Sequence, residues 1–170
     1  MKNVILVGMP GVGKSTLGIE LAKRIGYGYI DSDSVIEARA GKPVSEIIAE
    51  RGNDGFLEVE ATVNKQICAS RCVIATGGSA IYRADAIEKM KENGIAVYLK
   101  LSFEILRDRL GDLKERGVVL KEGFTLKDLF DERTPLYEAQ ADYTVELDGG
   151  SIEESVEKIV EAIECKLKTD

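Results

Sequence analysis

The chain of 170 residues contains no histidine. That gap removes a large share of enzyme chemistry: no Ser-His-Asp or Cys-His nucleophile can be assembled, and a zinc site built from Cys and His cannot be completed. Its three cysteines, Cys68, Cys72 and Cys165, have no CxxC spacing and read as ordinary thiols. No apolar run approaches the ~20 residues needed to cross a bilayer. The four apolar residues that follow Lys2 and Asn3 are too few for a signal peptide. A basic stripe is missing as well, and with 23 Lys+Arg against 30 Asp+Glu the net charge is −7, which disfavours nucleic acid as a partner. Carboxylates, Lys and Arg remain as working groups. They sit in a chain whose 44% hydrophobic and 31% charged content suits a single domain, 1–170, expected in the cytoplasm with no membrane partner.

Gly8-Met9-Pro10-Gly11-Val12-Gly13-Lys14-Ser15-Thr16 is the most informative stretch. It follows the apolar run 4–7 and precedes a helical pattern with Leu17, Leu21, Ala22 and Ile25 on one face, so strand, glycine loop and helix come in the order of a phosphate cradle. Glycines let the backbone turn its N–H groups inward, and the helix opening near Lys14 adds its positive end. Gly11, Val12, Gly13, Lys14, Ser15 and Thr16 are therefore expected to hold a nucleotide polyphosphate. Within that set Lys14 reaches the β- and γ-phosphates, and the Ser15 hydroxyl ligates Mg²⁺.

A short strand at Tyr29-Ile30 runs into Asp31-Ser32-Asp33-Ser34. Read as extended chain, Asp31 and Asp33 project to one side, where one can support Mg²⁺ through water and the other meet a substrate hydroxyl. Ser32 or Asp33 can also cap the helix that follows. Residues 42–71 read as a helical insertion, with Ser45 capping one helix and Phe56, Val59, Val63 and Ile67 forming an apolar stripe on a second. Glu60 lies beside that stripe, either solvated or paired with an arginine. A buried strand at 72–75 ends in Thr76-Gly77-Gly78-Ser79, where paired glycines permit close backbone approach by a ligand. After strand 95–99 a helix carries Arg107 and Arg109. The glycine- and charge-rich stretch 111–124 reads as a mobile lid, with Arg116 placed to stabilise a transferring phosphoryl group on closure. Thr125 opens a further helix, Pro135 favours a fresh helix start, and Ser151 with Glu154 forms a capping box ahead of the closing amphipathic helix. Alternating strands and helices predict an α/β fold of three layers, with a five-stranded parallel sheet between helices.

The constellation resembles the shikimate kinases, within the nucleoside-monophosphate-kinase branch of P-loop proteins. The likeness spans nearly the whole chain and rests on GMPGVGKST at 8–16, DSD at 31–33, Phe56 with Glu60, TGG at 76–78, Arg116 in the lid, and RTPLY at 133–137. It implies a cytoplasmic, monomeric enzyme of aromatic amino acid biosynthesis that moves the γ-phosphate of ATP to the 3-hydroxyl of shikimate with Mg²⁺. It also implies roles. Asp31 would support the metal and Asp33 would bind and polarise the attacking hydroxyl. Gly78 would meet the substrate by its backbone, Arg133 would grip the carboxylate, and Arg109 would lie against adenine opposite the 148–151 turn.

The family places an arginine directly after the phenylalanine, where this chain has Leu57, and a third glycine where it has Ser79. Leu57 raises an alternative acceptor, another small hydroxylated metabolite with an uncharged group at that position. A non-catalytic ATP sensor is a further alternative. A GTPase switch is not, because Asn64-Lys65 continues as Gln66-Ile67 rather than as the guanine-reading N-K-x-D.

Overall fold

The computed structural model of the protein describes residues 2–110 and 118–167. Five strands, β1 (Asn3–Val7), β2 (Gly28–Asp31), β3 (Cys72–Ala75), β4 (Gly94–Leu101) and β5 (Tyr143–Leu147), form one sheet of order β2-β3-β1-β4-β5 in which every pairing is parallel. Seven helices flank it among the described residues: α1 (Lys14–Ile25), α2 (Ser32–Ala40), α3 (Val44–Lys65), α4 (Ala84–Lys91), α5 (Phe103–Leu110), α6 (Leu126–Gln140) and α7 (Ile152–Leu167). β1 is buried at every position, as a central parallel strand covered on both faces must be, and this explains its unbroken apolar sequence. The expected three-layer architecture is thus the observed one.

The strand order sorts the loops that follow the strands. β1 lies at the centre and ends in the glycine loop. β2 and β3, on one side, end at Asp31 and Ala75, while β4 and β5, on the other, lead to α5 and to the 148–150 turn. One loop is therefore shared by two pockets, each served by a different half of the sheet.

Three local expectations are corrected. Asp31 and Asp33 do not share an extended segment: Asp31 ends β2 and is itself the N-cap of α2, its Oδ1 accepting the Ser34 N–H at 3.1 Å, while Asp33 lies in the first helical turn. A carboxylate at the cap satisfies an orphan N–H and favours the helix's positive end, so the helix begins one residue sooner than Ser32 or Asp33 as cap would allow. Ser45 caps nothing. α3 starts from Pro43, and the Val44 N–H is met instead by Glu37 Oε1 reaching across from α2 at 2.9 Å. Pro135 does not start a helix either, because α6 runs through it without interruption. A proline inside a helix costs roughly 3 kcal/mol, and burial of Leu129, Arg133 and Tyr137 along one face of α6 offsets it.

The insertion carries a small core of its own. Ile36, Ile47, Phe56, Val63 and Val119 cluster apart from the main core, and α3 bends at Gly52, whose φ of 70° suits glycine. The bend lets one helix wrap two sides of the pocket. α6 is pinned at its start by the expected capping box, in which Thr125 Oγ1 accepts the Asp128 N–H at 3.2 Å and Asp128 Oδ2 accepts the Thr125 N–H at 2.9 Å. Ser151 and Glu154 do the same for α7, at 3.0 and 3.1 Å. Thr125→Ala should lower unfolding stability by about 1 kcal/mol with an unchanged denaturant m-value, measured by urea titration.

Candidate active site

The pocket on the carboxylate side of the glycine loop holds about 390 Å³ and draws its wall from the ends of β1, β2 and β3 together with α3 and α6. Gly11, Gly13, Lys14, Ser15 and Thr16 of the glycine loop, Asp31 and Asp33, the Gly77-Gly78-Ser79 turn, and Arg133 with Phe56, Val118 and Val119 all line it. Most of the expected site residues are thus brought together. Gly13 caps α1 with φ 99°, a left-handed conformation that aims the loop amides at the cavity.

Lys14 is buried, and its Nζ donates to the Gly8 and Met9 carbonyls at 2.7 and 2.9 Å. Burial lowers its pKa to about 8, the Arg133 charge acting in the same direction and Asp33 and Asp31 against it. Ser15 Oγ donates to Asp31 Oδ2 at 3.0 Å, so two hard oxygen ligands stand side by side at the loop's edge. The Asp33 carboxyl is raised to about 6, first by burial and then by the Asp31 charge, with Lys14 opposing.

Glu60 is neither solvated nor paired with an arginine. It is 1% exposed, and its Oε2 accepts the Ser79 hydroxyl at 2.7 Å. Burial raises its pKa to about 7, reinforced by Asp33 and countered by the Ser79 bond, Arg133 and Lys14. Its Oε1 and Oδ1 of Asp33 are both buried without a hydrogen bond. They converge over Gly77, lying 2.5 and 2.9 Å from where a Cβ there would sit, so any larger residue would collide with both. Ser79 is thus tied to the insertion by a side chain that glycine at this position would not supply.

Arg133 is buried at 1% exposure and reaches the pocket by one edge. Its Nη2 donates to the Val119 carbonyl at 2.7 Å and its Nε to the Tyr82 hydroxyl at 3.1 Å. One turn along α6, the Tyr137 hydroxyl donates to the Gly78 carbonyl at 2.5 Å and fixes that backbone. Tyr137 was legible in principle, four residues after Arg133 on one helical face. Tyr82 carried no comparable pattern. Leu57 is buried and does not line the cavity, so the expectation that it faces an acceptor group is not met. Arg116 and the first half of the expected lid, 111–117, lie outside the described residues. The lid's end does not: Val119 packs into the insertion's core, and Asn53 Nδ2 donates to the Leu120 carbonyl at 2.7 Å.

The second pocket, about 170 Å³, lies across the glycine loop and is lined by Val12, Gly13, Thr16, Leu101, Arg109, Leu147, Gly149 and Gly150 among others. Arg109 Nη1 donates to the Val12 carbonyl at 3.4 Å. Arg109 and the glycines of the 148–151 turn are therefore on the same cavity.

A phosphate nest at the end of the central parallel strand, opening on one side to a base-sized cleft and on the other to carboxylates and an arginine, is the plan of a P-loop kinase. The family model for shikimate kinase matches residues 10–164. A shikimate kinase of Thermodesulfovibrio yellowstonii is 35% identical over 167 residues, covering 96% of each chain. One of Caldanaerobacter subterraneus is 34% identical over 171 residues, covering 99% of each. The solved shikimate kinase of Acinetobacter baumannii in complex with shikimate superposes with a TM-score of 0.88 at 34% identity, over 100% of this chain and 96% of that one. The chain belongs to the shikimate kinase family.

The buried Glu60 has a measurable consequence. Its folded pKa of about 7 exceeds the ordinary 4.5, so the unfolded chain releases that proton first and stability is lost as pH rises from 4.5 through 7. Glu60→Gln keeps an acceptor for Ser79 and removes the charge. Its stability relative to the parent should rise by about 2 kcal/mol between pH 5 and pH 8, read by denaturant titration at both pH values. An equal difference at the two values would contradict the assignment.

Proposed function

We propose that the protein transfers the γ-phosphate of ATP to the 3-hydroxyl of shikimate. The observation that carries this reading is the one cavity that Lys14, the glycine loop, Asp33 and Arg133 line together. The two cations and the carboxylate are spaced around a volume suited to one small polar acid beside a phosphate. Gly78, held by Tyr137, offers its backbone to the acceptor, and Arg133 takes the carboxylate. Asp33 orients the 3-hydroxyl and accepts its proton as the oxygen bonds to the γ-phosphorus and the bond to the β-bridging oxygen breaks, leaving ADP. Loop amides and Lys14 offset charge on the phosphate oxygens, and Arg116, carried by the lid, adds to this on closure. Arg109 and the 148–150 turn hold the adenine.

Ser15 and Asp31 suit Mg²⁺, because both are hard oxygen donors and stand 3.0 Å apart at the nest. Bound there with the nucleotide, the ion would neutralise part of the phosphate charge. The same reading takes residues 42–71 as the acceptor-binding insertion and 111–124 as the lid of one monomeric, cytoplasmic domain. The net charge of −7 supports a small-molecule partner over nucleic acid. No helix among the described residues is long and apolar enough to cross a membrane.

The test is ADP release followed with and without shikimate. ADP formation should depend on shikimate and yield one phosphorylated shikimate per ADP, and Lys14→Met should reduce kcat by at least about 10³-fold while leaving the circular dichroism spectrum unchanged. No shikimate-dependent turnover in the parent, or full activity in Lys14→Met, would refute the reading.

A further inference from the structure

A buried arginine recognises a carboxylate only if its guanidinium plane is fixed, since two parallel N–H bonds demand one orientation. Among the described residues Arg133 forms no ion pair that would fix it. Its anchors are neutral: the Val119 carbonyl on Nη2, the Tyr82 hydroxyl on Nε, and the Tyr137 hydroxyl, which also bonds to the guanidinium. Nη1 is left facing Gly78, 3.1 Å from where a Cβ on that glycine would sit.

Tyr82 lies in the short 3-10 turn at Ala80–Tyr82 that directly follows the glycine pair, and it meets the arginine twice. Its ring lies under the guanidinium, whose carbon is 5.0 Å from the ring centroid, and its hydroxyl accepts from Nε at 3.1 Å. That hydroxyl donates onward to Glu132 Oε1 at 2.6 Å, and Glu132 Oε2 takes Lys121 Nζ at 2.6 Å. A phenol whose proton is drawn toward a carboxylate presents a more negative oxygen to the arginine. Among these anchors the Tyr82 hydroxyl alone takes the Nε edge, so its loss leaves that edge of the guanidinium plane unheld. Tyr82 itself does not line the cavity.

We propose that Tyr82 is a positioning residue for acceptor binding: its hydroxyl, backed by Glu132 and Lys121, fixes the guanidinium plane of Arg133 so that Nη1 faces the acceptor's carboxylate. The inference rests on the reading of Arg133 as the carboxylate ligand, and it adds a residue that acts only through that arginine.

Tyr82→Phe tests it, because the variant keeps the ring beneath the guanidinium and removes only the hydroxyl. Calorimetric titration with shikimate reads binding without turnover, and steady-state kinetics read KM and kcat. Shikimate should bind about fivefold more weakly, with KM for shikimate raised to match and with kcat and KM for ATP within about twofold of the parent. Introduced into Arg133→Lys, which has no fork to orient, Tyr82→Phe should produce no further loss. Parent-like shikimate affinity in Tyr82→Phe overturns the inference, and so does an equal fivefold loss in the Arg133→Lys background. Weakened binding in Arg133→Lys without any in Tyr82→Phe removes the role of Tyr82 alone. Undiminished binding in Arg133→Lys removes the carboxylate reading of Arg133 and the inference with it.

Discussion

The charges around the cavity are held by neutral partners, and the rest of the site depends on that. Lys14 is bonded to two carbonyls, Arg133 to a carbonyl and two phenols, Asp31 to two hydroxyls and a backbone N–H, and Glu60 to a hydroxyl. The ion pairs among the described residues all lie elsewhere, mostly on exposed side chains. A direct Lys14–Asp33 or Arg133–Glu60 pair would have neutralised the groups before any ligand arrived, and separating it would subtract from binding. Neutral anchors orient the same groups while leaving their charge available. Such an arrangement is stabilising only when ligand charges complete it, which is the property expected of a site arranged for a highly charged transition state.

Burial is what makes these separated charges matter. Lys14 falls to about 8, Asp33 rises to about 6 and Glu60 to about 7, each chiefly through loss of water rather than through a particular partner. For the carboxylates the insertion contributes to that burial, since it carries Glu60 beside Asp33 over Gly77. α3, bent at Gly52, and the small core around Phe56 close over the acid pair, while Val119 extends the same core beneath the end of the lid segment. The insertion thus contributes to the wall of the cavity and lowers the dielectric around its carboxylates. The parallel sheet contributes placement, because every working loop follows the carboxyl end of a strand and β1 lies between the two halves.

Much of this plan was legible in the residues, and the unread part has a common cause. The glycine loop is contiguous and its chemistry depends on spacing along the chain, so Gly11 to Thr16 could be assigned directly. Strand and helix alternation is likewise local, and the five strands and capping boxes at Thr125 and Ser151 followed from it. What escaped was set by contacts distant in sequence. Glu60 is buried because α3 bends and carries it to Ser79, nineteen positions away. Tyr82 matters because α6 delivers Arg133 to it across fifty-one. Leu57 was read as facing the ligand because the resembling family places an arginine there, but adjacent helical residues point about 100° apart, and of the two only Phe56 lines the cavity. Pro135 misled for a related reason: its local preference is real, and tertiary burial of its helix overrode it.

The most direct measurement is a crystal structure of the protein with a non-hydrolysable ATP analogue, Mg²⁺ and shikimate. Lys14 should leave the Gly8 and Met9 carbonyls for phosphate oxygens, while Arg133 keeps its bonds to Tyr82 and Val119 and adds the shikimate carboxylate. A lysine still folded onto its own loop beside bound nucleotide, or Arg133 turned to pair with Glu60 or Asp33, would contradict the account that the site's charges are reserved for its ligands.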